Sequence, residues 1–190
     1  MLIKKLTIIA CAAVGMLASS FATAQTYLGA SVGQSDNSNY CNYATTCDSK
    51  ATSYKLFGGY NFNKNFAVES SYFSGGKTSI NSGVALGHSE QKKTGFSLAG
   101  VYNYEFNEAF AGFAKLGIAR VKAETTYDTS GLPSYSASNT GNQALLGVGV
   151  SYKINPNLAV RAEFEKYNAH TFSNSGTSGS NLSAGLQYNF

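Results

Sequence analysis

The sequence has 190 residues, 43% hydrophobic and 13% aromatic, with two prolines, no tryptophan and a formal charge of +4. Its length fits one domain. Lys4 and Lys5 carry two of those charges, so the rest of the chain is only +2, which excludes a strongly basic nucleic-acid-binding surface.

The chain begins with a targeting pattern. Lys4 and Lys5 form a positive start, Leu6 to Ala18 is apolar, and Ala22-Thr23-Ala24 is a small-x-small cleavage site before Gln25. The apolar run is shorter than the ~20 residues a membrane-spanning helix needs. Residues 1–24 are therefore expected to be a cleaved signal peptide and residues 25–190 the folded domain. A lipoprotein-like box at Ile8-Ile9-Ala10-Cys11 is discounted, because cutting there splits the apolar region. Cys41 and Cys47 remain after cleavage, close together in a polar loop and in an oxidising compartment. A local disulfide is expected, worth about 2 kcal/mol for so short a loop.

The predicted elements are all strands. Strand one is Tyr27 to Gln34, where Leu28, Ala30 and Val32 alternate with Gly29, Ser31 and Gly33. A polar loop, Ser35 to Thr52, holds both cysteines. Strand two, Ser53 to Phe62, sets Tyr54, Leu56, Gly58, Tyr60 and Phe62 against Lys55, Phe57, Gly59 and Asn61. Strand three, Asn65 to Phe73, points Phe66, Val68 and Tyr72 outward and Ala67, Glu69 and Ser71 inward. A Gly/Ser-rich loop is expected from Ser74 to Lys93. Strand four, Thr94 to Phe106, turns Phe96, Leu98, Tyr102 and Tyr104 outward. Strand five, Ala109 to Ala123, points Ala114, Leu116 and Ile118 outward and Lys115 inward. A third loop covers Glu124 to Gly141. Strand six, Asn142 to Ile154, puts Leu146, Val148, Val150 and Tyr152 outward. Strand seven, Asn157 to Tyr167, puts Val160, Ala162 and Phe164 outward and Arg161, Glu163 and Glu165 inward. After a last loop, Asn168 to Ser180, strand eight alternates Leu182, Ala184, Leu186, Tyr188 and Phe190 with Ser183, Gly185, Gln187 and Asn189.

Three of the connections repeat a pattern: aromatic, any, apolar, Asn, two turn residues, apolar, Ala. It occurs at Tyr60–Ala67, Tyr104–Ala111 and Tyr152–Ala159. Asn and Pro at the centre of such a stretch mark a tight reversal, and a spacing of roughly 45 residues suggests one hairpin unit laid down repeatedly. Short turns at one end, long polar loops at the other and an apolar face on every strand describe a closed eight-stranded antiparallel transmembrane β-barrel. A soluble β-sandwich gives alternation too, but does not require a continuous apolar face around all the strands. The expected location is the bacterial outer membrane. Tyr60, Tyr104, Tyr152, Tyr188 and Phe190 are expected to form the interfacial aromatic girdle on the periplasmic side, in contact with outer-membrane lipid.

Phe57-Gly-Gly-Tyr-Asn-Phe-Asn-Lys-Asn-Phe-Ala-Val-Glu69, Asn155-Pro-Asn-Leu-Ala-Val-Arg-Ala-Glu163 and the Phe190 end resemble the OmpA-like eight-stranded outer-membrane barrel family. The resemblance covers nearly the whole of residues 25–190 and implies that the strand ending at Phe190 is read by the barrel-assembly machinery. The periplasmic peptidoglycan-binding domain of larger members does not carry over.

Inward charges are placed by counting from the turns. Glu69 lies six residues after Asn63 and Arg161 six after Asn155; Lys115 and Glu163 lie eight after Asn107 and Asn155. Two lumenal pairs are expected, Glu69 with Arg161 and Lys115 with Glu163, since a lone charge in a narrow lumen is costly. The resemblance supports the first pair. The family's second inward Lys–Glu pair falls on Ala99 and Ser151 here and is absent.

No catalytic arrangement is visible. His88 and His170 are the two histidines, both in expected outer loops, and His88-Ser89-Glu90 are neighbours in sequence rather than a triad. No metal-ligand cluster or cofactor motif is present. The expected role is structural or surface-exposed, with adhesion or interaction through the outer loops and a possible host or matrix ligand; a monomer is expected. The alternatives are a small low-conductance pore gated by the Glu–Arg pair and, third, a lipid-modifying surface enzyme.

Overall fold

A computed structural model describes residues 25–36, 46–47, 50–81, 88–128, 135–168 and 178–190. Residues 1–24, Cys41 and His170 lie outside them, as do the side chains of Cys47 and His88; the expectations attached to these groups are not addressed by the structure.

The strands are β1 (Thr26–Asp36), β2 (Thr46–Cys47), β3 (Lys50–Asn61), β4 (Phe66–Asn81), β5 (His88–Glu105), β6 (Phe110–Asp128), β7 (Tyr135–Lys153), β8 (Leu158–Asn168) and β9 (Gly179–Asn189). The sheet order is β2-β4-β3-β1-β9-β8-β7-β6-β5, and β4 also pairs with β5. The eight long strands thus close into an antiparallel barrel, with β2 a two-residue addition on the end of β4. Closure pairs each of the eight long strands on both edges, which is what a sheet in lipid requires.

The repeated Asn explains the three tight turns. Asn63 Oδ1 accepts hydrogen bonds from the backbone N–H groups of Asn65 (2.9 Å) and Phe66 (2.8 Å). Asn107 does the same for Ala109 and Phe110, at 2.9 and 2.8 Å. Asn155 does it for Asn157 and Leu158, at 3.0 and 2.8 Å. Each side chain satisfies donors that the reversal would otherwise strand. The residue after each turn then ties to the next hairpin, as where Asn65 O accepts from Asn103 N at 2.7 Å and Asn157 O from Asn189 N at 2.7 Å.

Alternation sorts the faces as expected. Leu56, Phe96, Leu116, Leu146 and Leu182 all point away from the lumen, each more than half exposed. Among the described residues the middle of the lumen is filled by side chains, while at the turn end Gln25, Asn61, Ser151 and Gln187 line a cavity of about 450 Å³. The apolar residues of the lumen form a lower layer of Tyr27, Phe57, Ala67, Val101 and Phe113, and an upper layer of Phe73, Ala99, Ala119, Val121, Leu145 and Tyr167. Inward glycines make room for the rings. A Cβ on Gly59 would fall 2.2 Å from Tyr27 Cζ, and one on Gly149 would fall 2.2 Å from Phe113 Cζ.

The strands are longer than the apolar alternation predicts. Residues 74–93 were expected to be loop, yet β4 runs to Asn81 and β5 starts at His88. Residues 124–141 likewise contain the end of β6 and the start of β7, paired from Glu124↔Ser138 to Tyr127↔Tyr135. β1 and β3 reach Asp36 and Lys50 inside the first expected loop, and β8 and β9 reach Asn168 and Gly179 at the edges of the last. The reason is physical. Apolar alternation reports contact with lipid, whereas strand pairing continues into water on backbone hydrogen bonds alone. A register shift between Ser74 and Lys77 interrupts β4, with Gly76 at φ +76°, where a Cβ would meet Thr52 O at 2.3 Å.

Candidate functional site

The two apolar layers enclose a buried charge cluster. Its cations are Lys55, Lys115 and Arg161, and its carboxylates are Glu69, Glu163 and Glu165, so the formal charges balance. β3, β6 and β8 supply the cations; β4 and β8 supply the carboxylates. None of these side chains is more than 5% exposed. Burying charge is tolerable only where partners converge like this.

Arg161 Nη1 donates to Glu69 Oε2 at 2.8 Å. Lys115 contacts all three carboxylates: Glu69, Glu163, and Glu165 at 3.5 Å. Lys55 Nζ lies 2.8 Å from Glu163 and 3.0 Å from Glu165. The phenols of Tyr27 and Tyr167 donate to Glu69 and Glu165, each at 3.0 Å. The Arg161 guanidinium is held between two rings, with Cζ 4.0 Å from the Phe113 centroid and 4.7 Å from that of Phe57, a cation–π arrangement. Arg161 Nε and Nη2 find no hydrogen-bond partner among the described residues.

The four residues singled out from sequence, Glu69, Arg161, Lys115 and Glu163, thus meet in one network rather than two separate pairs. Lys115 joins the pairs by touching both Glu69 and Glu163. Lys55, Glu165, Tyr27 and Tyr167 were not assigned to it from sequence. Lys55 was within reach of the same count: it pairs with Phe73, ten residues after Asn63, and Glu165 lies ten after Asn155. Small residues beside the cluster give it space, since Glu69 pairs with Ala99 on β5 and Arg161 with Ser151 on β7.

At the turn end, Tyr60, Tyr104, Tyr152, Tyr188 and Phe190 all face outward, 41–56% exposed. Tyr152 packs on Phe110 with ring centroids 4.7 Å apart, and Tyr102 on Phe66 at 5.3 Å. At the other end the outward rows turn polar. Ile118 is followed by Arg120, Lys122 and Glu124 on β6, and Phe96 by Thr94 and Lys92 on β5. Lys122 Nζ donates to Glu124 Oε1 at 2.6 Å, and that hydrogen bond holds the Glu124 carboxyl below its ordinary range.

Comparison with known proteins agrees with this architecture. Residues 8–190 match the family model described as an outer membrane protein beta-barrel domain. Among solved structures, the chain is similar to Neisserial surface protein A (TM-score 0.61, 16% identity, 87% of this chain and 97% of that one). It is also similar to Ail, the attachment invasion locus protein of Yersinia pestis, in complex with the heparin analogue sucrose octasulfate (TM-score 0.57, 17% identity, 87% and 99%). A third is OprG from Pseudomonas aeruginosa (TM-score 0.56, 14% identity, 87% and 96%). These likenesses show a shared fold. No curated protein matches the chain by sequence.

Proposed function

The chain belongs to the outer membrane protein β-barrel family, and from that premise we propose that it acts at the cell surface, as an interaction or adhesion protein working through its outer end. The lumen, in this reading, is a plug and not a path. The observation that carries it is the contrast between the two parts of the barrel. The interior is closed by a charge-balanced cluster between two apolar layers. The outer ends of β4 to β7, by contrast, continue as paired strands well past the outward apolar rows. Binding residues are commonly presented in this way, at the tips of a rigid scaffold.

Tyr135 is 68% exposed on this extension, beside a run of Ser, Thr and Asn suited to polar contacts. The complex of Ail with a sulfated heparin analogue, a structure of the same fold, makes a polyanionic host or matrix glycan a reasonable first ligand to try. The outward row from Leu182 on β9 to Phe190 just after it supports the reading of this segment as the one handed to the barrel-assembly machinery. Removal of residues 1–24 on export belongs to the same account.

The test is cell-surface display of the protein, native and with residues 124–138 replaced by an Asn-Gly turn. Binding to immobilised heparin and to extracellular matrix is then measured. Loss of binding in a variant that still folds, by heat-modifiable gel mobility, supports the reading. Equal binding by both forms refutes it.

A further inference from the structure

We propose that the outer rim of β5 and β6 is a binding site for the phosphate groups of an outer-leaflet glycolipid, formed by Lys92, Arg120 and Lys122. Outward positions on β6 are apolar or small from Phe110 to Ile118, eight steps along the strand. At ~3.3 Å per residue and a tilt of ~40°, this covers about 20 Å of the hydrocarbon thickness. Arg120 is the next outward residue, so it stands at the outer edge of the apolar band.

The register gathers the other two cations beside it. Arg120 is opposite Phe96, Lys122 opposite Thr94, and Lys92 opposite Glu124. All of these positions share one face of two adjacent strands. Arg120, Lys92 and Lys122 are exposed. Lys122 is shared with Glu124, but neither Arg120 nor Lys92 forms an ion pair among the described residues. The patch therefore holds three cations and one carboxylate, with the Thr94 hydroxyl among them.

The other edge of the barrel is different. At the tight turns Lys153 is paired with Glu105 at 2.7 Å, and Lys64 is matched by Glu108, leaving no net charge. Uncompensated positive charge is thus concentrated on the face that meets the outer leaflet, at headgroup depth. Arg and Lys next to an apolar wall fit a phosphate whose acyl chains continue down that wall. A cation near an anionic lipid surface strengthens association about fivefold.

The experiment titrates the detergent-solubilised full barrel with bis-phosphorylated lipid A and reads occupancy by native mass spectrometry. Three proteins are compared: the native chain, Lys92→Gln with Arg120→Gln, and the charge-matched turn-end control Lys64→Gln with Lys153→Gln. The proposal expects the first pair to weaken binding on the order of 25-fold and the control pair to leave it nearly unchanged. Dephosphorylated lipid A should bind the native chain as weakly as the rim variant binds the phosphorylated form. Absence of binding to the native chain, equal losses in both variants, or equal binding of the dephosphorylated lipid would overturn it. So would displacement by millimolar inorganic phosphate, which would identify a free-anion site in place of a lipid site.

Discussion

Lys115 is the cation on which the lumenal cluster turns, and Lys115→Met is the perturbation with the largest expected effect. The substitution keeps the length of the side chain and removes only the ammonium. Lys115 is 1% exposed and reaches Glu69, Glu163 and Glu165. At an effective dielectric of ~20, its attraction to Glu165 alone, at 3.5 Å, is about 5 kcal/mol gross. Much of that is offset by the cation's own desolvation. The remaining imbalance decides the outcome: three carboxylates face Lys55 and Arg161 only, in a space closed above and below by apolar layers. Breaking a buried pair in this way costs about 3–5 kcal/mol. Because the sequence has no tryptophan, unfolding in guanidinium is best followed by far-ultraviolet circular dichroism of protein refolded in lipid vesicles. The double variant Lys115→Met with Glu165→Gln restores the charge balance and should recover about 1–3 kcal/mol. A loss below 1 kcal/mol in the single variant, or a double variant no better than the single, would refute the claim that charge balance holds the plug together.

Three smaller tests address the scaffold. Asn155→Ala removes the acceptor for two turn N–H groups and should cost about 1 kcal/mol, measured by the same unfolding assay; Asn63→Ala should match it, because the geometry is the same. Gly149→Ala drives a Cβ into the Phe113 ring and should destabilise by about 1–3 kcal/mol. Adding Phe113→Leu should relieve part of that loss, and no relief would place the clash at the Ala162 carbonyl, 2.5 Å from the same Cβ, and not at the ring. Tyr167→Phe leaves Glu165 short of a buried donor at 3.0 Å and should cost about 1–3 kcal/mol, while the exposed Tyr135→Phe should cost almost nothing.

The sequence carried the barrel because lipid imposes a periodicity of two that nothing else in the chain obscures. Leu116, Ile118, Val148, Val150 and Phe164 are outward because their neighbours Lys115, Gly117, Gly149 and Glu163 are not. The turns were legible because one acceptor, the Asn at the centre of each repeat, solves the same hydrogen-bonding problem three times. Strand ends were not legible. Thr125, Thr126 and Ser136 pair as strand in water, where no apolar partner marks the face. The network was half legible. Counting from turns gives height but not reach, and the long side chains of Lys55 and Lys115 cross the lumen to carboxylates on strands that are not their neighbours. Tyr27 and Tyr167 were hidden for another reason: an aromatic residue on an inward position gives no sign, in sequence, that its hydroxyl serves a buried carboxylate.

The most direct test of whether function lies at the outer surface or in the lumen is the conductance of refolded protein in a planar bilayer, beside Arg161→Ala. With Arg161 in place between Phe57 and Phe113 and hydrogen-bonded to Glu69, the account predicts a silent bilayer from protein shown to have inserted. Steady openings that change in size or frequency with Arg161→Ala would contradict it and make the lumen a gated pore.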